Sequence, residues 1–389
     1  MRSVSRKVRR EDTTSSAGGL KSGPLLLILW GVPHIASAAK LDMREGVTDM
    51  SARIQQIHHM GLWVCIVVGV IVFGAMFYTM FAHRRSRHPV PATFSHSTLV
   101  EIVWTTIPVL ILVGMAIPAA IALREIENNE DSDITVVITA SQWKWHYRYL
   151  ETDISYYSNI TTPDEQIYNL EPKDEHYLLD ADNPLVLPTN KKIRFLVTSD
   201  DVIHSWWVPD FAVKQDAIPG FINEAWTIVP TPGTYRGQCT ELCGQGHGFM
   251  PIVVEVRPEA EFDQWIEDQR IAAELAGGAA VAARAKTWTM DELMPIGQET
   301  FLKHCATCHE RDGMGQGTKY PALSGSAIAT GEMADHLERV MNGVADTEMQ
   351  AWAPQLSDLE IAAVITYERN SWANSTGDII QPITVYKAR

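Results

Sequence analysis

Cysteine is scarce: 389 residues contain five, too few for a chain stapled together by disulfides. Positive charge is also in deficit. Lys and Arg number 32 against 47 Asp and Glu, a net charge of -15, which leaves no basic footprint for nucleic acid. No cysteine stands at the cleavage region after the N-terminal apolar run, so a lipoprotein signal has no support. The cysteine that is present is concentrated, with four of the five in two short motifs, as metal and cofactor sites use it. The fifth, Cys65, lies in an apolar run and is expected to be a buried packing residue. The length allows two or three domains.

Arg2, Arg6, Lys7, Arg9 and Arg10 precede the apolar run 24–35 and then Ala36-Ser37-Ala38. That is the layout of a cleavable secretory signal over residues 1–38; the run is short for a membrane span, although an uncleaved anchor is the alternative. Residues 39–123 hold an N-terminal segment and two longer apolar stretches, about 60–82 and 99–123. Each is long enough to cross a bilayer as a helix, which predicts a transmembrane hairpin. Between them stand His83, Arg84, Arg85, Arg87 and His88, whereas the residues after Arg124 are acidic. Positive loops stay cytoplasmic, so both mature termini are expected outside. Glu101 falls in the first turn of the second span, where Thr98 and Glu101 have the spacing of a capping box. An acid at the lipid boundary is also a functional candidate.

Residues 239–250 read Cys-Thr-Glu-Leu-Cys-Gly-Gln-Gly-His-Gly-Phe-Met. Two thiolates, an imidazole and a thioether in one loop are a ligand set that favours copper. Cys239 and Cys243 can aim both sulfurs at one point, where each thiolate bridges two metals. His247 and His204, from Asp-Val-Ile-His-Ser-Trp-Trp, can each cap one ion. Met250 offers one copper a weak thioether, and the Glu241 carbonyl can face the other. A four-coordinate zinc site would use the same cysteines and histidines but leave Met250 idle; a disulfide between the cysteines is the other alternative.

The segment 124–257 breaks into short β-rich runs, including 134–140, 143–150, 192–198, 225–228 and 252–256, punctuated by Gly, Pro and Asp. That pattern predicts a β-sandwich or barrel. With Asp-Asn-Pro-Leu-Val-Leu-Pro at 182–188, Val-Lys-Gln-Asp-Ala-Ile-Pro-Gly at 213–220 and the cysteine loop, the stretch from about 50 to 257 resembles subunit II of haem-copper cytochrome c oxidase. The resemblance implies a cupredoxin-like Greek-key barrel carrying the binuclear copper centre CuA. By residue match its ligands are His204, Cys239, the Glu241 carbonyl, Cys243, His247 and Met250.

The resemblance implies further roles. Glu101 matches a glutamate at the mouth of a proton pathway into the catalytic subunit. The Glu241 carboxylate matches one that helps hold magnesium at the boundary with that subunit. Trp143, in Ala140-Ser-Gln-Trp-Lys-Trp145, matches the tryptophan that accepts electrons from cytochrome c. The family pattern there is Gly-His-Gln-Trp-Tyr-Trp, so Lys144 and His146 alter the local charge. Trp145 reads as a strand residue packing the barrel.

After Val256 the composition shifts to a short helix and then a small-residue linker rich in alanine, with Gly277 and Gly278, giving a linker at 258–285. The final domain, 286–389, opens on Cys305-Ala-Thr-Cys308-His309, the run for covalent c-type haem, in which two thiols form thioethers and the imidazole ligates iron. A redox dithiol or half a zinc site is the alternative, yet no second cysteine pair follows. Met349 matches the sixth iron ligand of class I cytochrome c domains, an all-α fold, with Met341 as its competitor and Met314 and Met333 behind it. Pro321, in Tyr320-Pro-Ala-Leu, resembles the proline whose carbonyl orients the proximal imidazole. Ser357 and Glu360 form a capping box, Leu356 can staple to Ile361, and Ile361, Val364, Ile365 and Tyr367 make an apolar helix face.

Joined in series, these parts read as a wire: a soluble donor such as cytochrome c, then haem c, then copper. The wire ends at a haem-copper subunit I, with subunit III beside it, in a bacterial plasma membrane. The oxygen-reducing site lies in that partner, so this chain alone is not expected to reduce oxygen. Two other readings remain: a quinol-oxidase subunit, which usually lacks the copper ligands intact here, or a nitric-oxide-reductase subunit, which could share them; and a non-catalytic copper-binding or assembly protein, for which a covalent haem has no purpose.

Overall fold

A computed structural model describes residues 42–90, 92–345 and 347–389. The leader expected at 1–38 lies outside them.

Helix α1 (Asp49–Ala82) begins at a reciprocal cap: Ser51 N donates to Thr48 Oγ1 at 3.0 Å, and Thr48 N donates to Ser51 Oγ at 3.1 Å. The cap starts the helix well before the apolar run. Its 34 residues span roughly 51 Å at 1.5 Å each, longer than the roughly 30 Å hydrocarbon core. Helix α2 (Thr98–Ile126) follows. Both helices are long and apolar enough to cross a membrane, and their apolar side chains face outward. Cys65 belongs to this outward surface of α1 and is exposed, not buried within the protein as its apolar neighbours implied. Ser97, not Thr98, is the N-cap of α2, and no side chain closes it. Thr98 already belongs to the first turn, so the expected capping box does not form; the Glu101 backbone N–H donates to Ser97 O at 3.0 Å instead.

The start of α1 and the end of α2 both meet the β-domain. Val47 N donates to Asp210 O at 2.8 Å, Thr48 Oγ1 to Phe211 O at 3.1 Å, and Trp226 Nε1 to Glu125 O at 3.2 Å. The loop with Arg84, Arg85 and Arg87 joins the opposite ends of the hairpin.

The β-domain stacks two five-stranded sheets. One holds β1 (Ile134–Ser141), β2 (Lys144–Tyr149), β3 (Ser155–Ser158), β5 (Lys192–Ser199) and β8 (Asn223–Ile228), in the order β3-β2-β1-β5-β8. The other holds β4 (Leu185–Pro188), β6 (His204–Val208), β7 (Val213–Ala217), β9 (Gly233–Cys239) and β10 (Pro251–Arg257), in the order β4-β10-β9-β6-β7. A short α3 (Asp164–Ile167) lies between β3 and β4. Each sheet mixes one parallel pair, β1 with β5 and β10 with β4, with antiparallel neighbours. Parallel neighbours need crossover connections, and here the chain crosses between sheets, giving the cupredoxin-like arrangement. Alternation fills the middle: Ile193, Phe195 and Val197 of β5 share one buried core with Trp206, Tyr147 and Trp145, the Phe195 ring 5.0 Å from that of Trp206. Trp145 is fully buried, as its strand position predicts. Trp143 is not in a strand; with Gln142 it forms the turn between β1 and β2, where Ser141 pairs with Lys144.

The segment read as a short helix and linker is one 27-residue helix, α4 (Glu259–Ala285). Its alanines carry it through Gly277 and Gly278 despite the helix cost of glycine. Phe262 and Trp265 anchor its start in the barrel core, with the Trp265 ring 5.4 Å from that of Tyr149. Its far end is fastened too: Arg284 Nε donates to Asp358 at 2.6 Å, and C-terminal Arg389 Nε reaches the same carboxylate at 2.5 Å.

The last domain is helical: α5 (Met290–His304), α6 (Ala306–His309), α7 (Ala327–Thr330), α8 (Met333–Asn342), α9 (Asp358–Asn370) and α10 (Pro382–Ala388). Helices α5 and α9 touch at Gly297, where an added Cβ would stand 2.2 Å from Ala363 O. Ser357 and Glu360 close the expected box on α9. Leu356, Ile361, Val364 and Ile365 are buried in this core, and Tyr367 packs against it.

Candidate metal and haem centres

Strand β9 ends at Cys239, and the loop to β10 returns through Cys243, His247 and Met250; His204 enters from the start of β6, the neighbour of β9. Cys239 Sγ lies 4.0 Å from His204 Nδ1 and 3.4 Å from Glu241 O. Cys243 Sγ lies 3.5 Å from His247 Nδ1 and 3.7 Å from Met250 Sδ. The sulfurs are 3.8 Å apart, far beyond the roughly 2.05 Å of a disulfide. All six donors proposed from the sequence therefore converge, sorted into two groups, one at each cysteine. His204, Cys239 and Cys243 are buried and place ligand atoms within 4.8 Å of one another.

The pairing of the two cysteines sets their thiols apart. The hydrogen bond from Cys243, reinforced by His204 and the Ser205 backbone against the opposing effect of burial, pulls the Cys239 thiol down to about 3, while the same pairing pushes Cys243 up. Asp201 is a partner the sequence reading missed. Its Oδ1 is 2.9 Å from His204 Nε2, which turns Nδ1 toward the cysteines, and its Oδ2 accepts from Gln142 N at 2.7 Å. The Asp201-x-x-His204 spacing was the available signal. Burial would raise the Asp201 carboxyl, but His204 and backbone donors from Gln142 and Val202 bring it below the usual range.

Trp143 lies directly on the loop. Its Nε1 donates to Cys243 O at 3.2 Å, and Gln142 Nε2 donates to the same carbonyl at 2.8 Å. A Cβ on Gly246 would stand 2.3 Å from the Trp143 ring, so glycine is what lets the indole reach the loop.

In the helical domain Cys305, Cys308 and His309 line a cavity of about 760 Å³. Pro321 O lies 2.9 Å from His309 Nδ1, which leaves Nε2 as the free ring nitrogen. Met349 also lines the cavity. Met341 is buried in the helical core beside it, and Met314 is exposed. Gln142, Trp143 and Lys144 of the β-domain line the same cavity, which thus opens onto the turn above the cysteine loop. Glu241 turns its side chain to solvent. Glu101 is not part of either centre: it sits near the loop end of α2, roughly 36 Å of helix from Glu125.

A membrane hairpin, a cupredoxin-like domain with a His/Cys/Cys cluster and a helical domain with a Cys-x-x-Cys-His run define a redox metalloprotein of the respiratory membrane. Residues 134–257 match the model of the cytochrome c oxidase subunit II periplasmic domain, and residues 36–121 that of its transmembrane domain. Residues 292–367 match the model described as cytochrome c oxidase, cbb3-type, subunit III. A probable cytochrome c oxidase subunit 2 of Rickettsia bellii is 40% identical over 244 residues, 63% of this chain and 89% of that one. The cytochrome c oxidase subunit 2 of Cyanidium caldarium is 34% identical over 235 residues, 59% of this chain and 91% of that one. The solved periplasmic domain of subunit II of the Bradyrhizobium japonicum cytochrome oxidase is 39% identical, covering 36% of this chain and 96% of that one with a TM-score of 0.33.

The chain belongs to the cytochrome c oxidase subunit II family, with a cytochrome c-type domain at its C-terminus. Membership implies a CuA copper centre in the β-domain, a haem in the helical domain, and a haem-copper catalytic subunit as partner, with the β-domain outside the membrane. The donor set fits copper: two sulfurs, two imidazoles, a thioether and a carbonyl are more ligands than a four-coordinate zinc takes.

Proposed function

We propose that the chain receives electrons from a soluble donor such as cytochrome c at its haem domain and delivers them through its copper domain to the oxygen-reducing, proton-translocating subunit I, with subunit III alongside, in a bacterial plasma membrane. When bound, copper and haem supply one-electron carriers. The rest is the work of this chain's residues. Cys239, Cys243, His204, His247, Met250 and the Glu241 carbonyl would together hold the two coppers. A buried, fully liganded site leaves no position for substrate, which suits electron transfer. Cys305 and Cys308 would hold haem c through thioethers. His309 would ligate iron with its ring fixed by Pro321, and Met349 would be the sixth ligand, a pairing that raises the potential.

Trp143, between cavity and copper loop, would carry electrons into the copper domain. Glu101 would pass protons at the cytoplasmic end of the hairpin, and the outward carboxylate of Glu241 would meet magnesium at the boundary with subunit I, an oxygen ligand of the kind that ion prefers.

The observation that carries this reading is the sorting of the six donors into two groups around a 3.8 Å cysteine pair, directly beneath the turn that lines the haem cavity. The test is electron paramagnetic resonance with copper and haem quantitation on the purified complex, followed by oxygen and nitric oxide consumption. Two coppers, one haem c and a mixed-valence signal, with oxygen as the substrate consumed, are expected. One copper, or zinc in its place, would overturn the binuclear assignment; turnover of nitric oxide alone would move the chain to a reductase.

A further inference from the structure

Lys144 is the first residue of β2 and only 3% exposed. A buried amino group must find acceptors or it costs several kcal/mol, and this one finds its acceptor in the other domain. Its Nζ donates to Gln350 Oε1 at 2.6 Å, from a residue next to Met349. The Trp352 ring, also of the helical domain, lies 4.6 Å from Nζ, and the Tyr157 ring of β3 lies 5.7 Å away, both within the roughly 6 Å reach of a cation–π contact. Gln350 is held from three sides. Its Oε1 also accepts from Gln355 Nε2 at 3.0 Å, and its Nε2 donates to Gln142 O at 2.9 Å. Gln142 then donates from Nε2 to Cys243 O at 2.8 Å. A continuous hydrogen-bonded chain thus runs from the Met349 loop to the cysteine loop.

We propose that Lys144, with Gln350 and Gln142, is an interdomain latch: it positions the Met349 loop against the turn that carries Trp143 and so fixes the separation between the haem cavity and the copper loop. The functional consequence rests on the electron-wire reading above; the latch itself does not.

Among the described residues, two ion pairs between the domains lie at the rim. Arg311 meets Asp164 at 2.6 Å and Lys303 meets Asp182 at 3.3 Å, both with solvent-exposed cations, and such pairs contribute little. The latch is central and desolvated, where a hydrogen bond from a charged donor is strongest and an unpaired partner costs most. Burial, outweighing the attraction of Asp201 and Asp200, brings the Lys144 pKa down to about 7. The contact does not depend on that proton, because the neutral amine still donates. Lys144 is therefore a positioning residue and touches neither set of proposed metal ligands.

The test uses the assembled oxidase and reads backbone hydrogen exchange across residues 140–146 and 347–352, together with copper and haem spectra. Lys144→Met is expected to speed exchange in both segments about tenfold, the loss of one charged hydrogen bond, and Gln350→Leu by at least as much, since it also loses the bonds to Gln355 and Gln142. The double variant should be no faster than the more affected single one. Gln350→Glu, which keeps the acceptor for Lys144 but loses the donor to Gln142 O and sets a carboxylate oxygen against it, should also speed exchange, with both spectra unchanged throughout. Electron transfer from haem to copper after photoreduction should slow in step with the exchange. Unchanged exchange in the single variants, or multiplied effects in the double, would overturn the latch. If Lys144→Met does not accumulate, Gln350→Leu, outside the barrel, decides alone. Exchange requires no electron flow, so a wild-type complex whose haem and copper fail to communicate would sink the wire reading and leave the latch measurement standing.

Discussion

Replacing Gly246 by alanine isolates a single contact, the seat of Trp143 on the copper loop. Gly246 has φ -89° and ψ 18°, which alanine adopts, so backbone strain plays no part. The obstacle is the indole. A Cβ would lie 2.3 Å from Trp143 Cδ2, 2.5 Å from Cε3 and 2.6 Å from Cγ, whereas carbons rest about 3.5–4.0 Å apart. Ring or loop must give by roughly 1.2 Å. The ring is tethered by its bond to Cys243 O and bordered by Gly244, whose own Cβ would be 3.2 Å from Cζ2. Overpacking of this kind costs about 1–3 kcal/mol. Borne by the metal-bound form of the loop, that is a loss of copper affinity of about 5- to 150-fold. Gly248→Ala is the matched control, since its Cβ would meet nothing within 4 Å. Copper retention against a graded chelator, read by the copper absorption, should fall for Gly246→Ala, stay near wild type for Gly248→Ala, and recover in Gly246→Ala with Trp143→Leu. Equal retention in the two alanine variants would refute the seating of Trp143 on the loop.

Three further outcomes follow from the same geometry. Met349→Ala should remove the thioether from the cavity, lower the haem potential and change the haem absorption, whereas Met341→Leu, a core substitution of similar volume, should keep the spectrum and cost under about 1.5 kcal/mol; a redox titration separates them. Asp358→Asn should destabilise the helical domain by about 2 kcal/mol, because the buried carboxylate joins Arg284 to Arg389. That is less than for a fully buried pair, since both arginines keep partial contact with water; calorimetry reads it. Glu101→Gln should leave α2 intact, because the bond to Ser97 uses the Glu101 backbone, and should slow proton uptake by the oxidase in vesicles. Unaltered uptake would remove Glu101 from the proton pathway.

The copper loop was legible because chemistry and sequence proximity coincide there. Four side-chain donors lie in one loop, and only His204 had to be found elsewhere, through its place in a β-rich segment. The haem run was legible for the same reason. Boundaries set by competing local signals were harder. Ser97 and Thr98 are adjacent hydroxyl residues, and the helix starts one position earlier than the hydrophobic pattern implies. The cap at Thr48 and Ser51 extends α1 through polar residues that the apolar run could not claim. The alanine-rich segment after Val256 fits either a linker or a helix by composition; tertiary anchors at Phe262, Trp265 and Arg284 favour the helix.

Lys144 marks where local reading ends. In sequence it is a charge beside an aromatic, which alters the charge around Trp143 and so departs from the family's docking surface. In the fold its partner Gln350 lies 206 residues away, a pairing no periodicity or motif encodes. The Met349 loop lines the same cavity as Trp143, and Gln350 donates to the carbonyl of Gln142 beside it. On the proposed electron-wire reading, an external cytochrome would therefore deliver to the haem domain, with Trp143 met from within the chain. Joining the donor domain to the copper domain raises its effective concentration, and the polar contact at Lys144 adds what tethering alone does not, a defined orientation. Fusion and latch are therefore complementary: the helix α4 sets how far the haem domain can be, and the Lys144 contact sets which of its faces meets the copper loop.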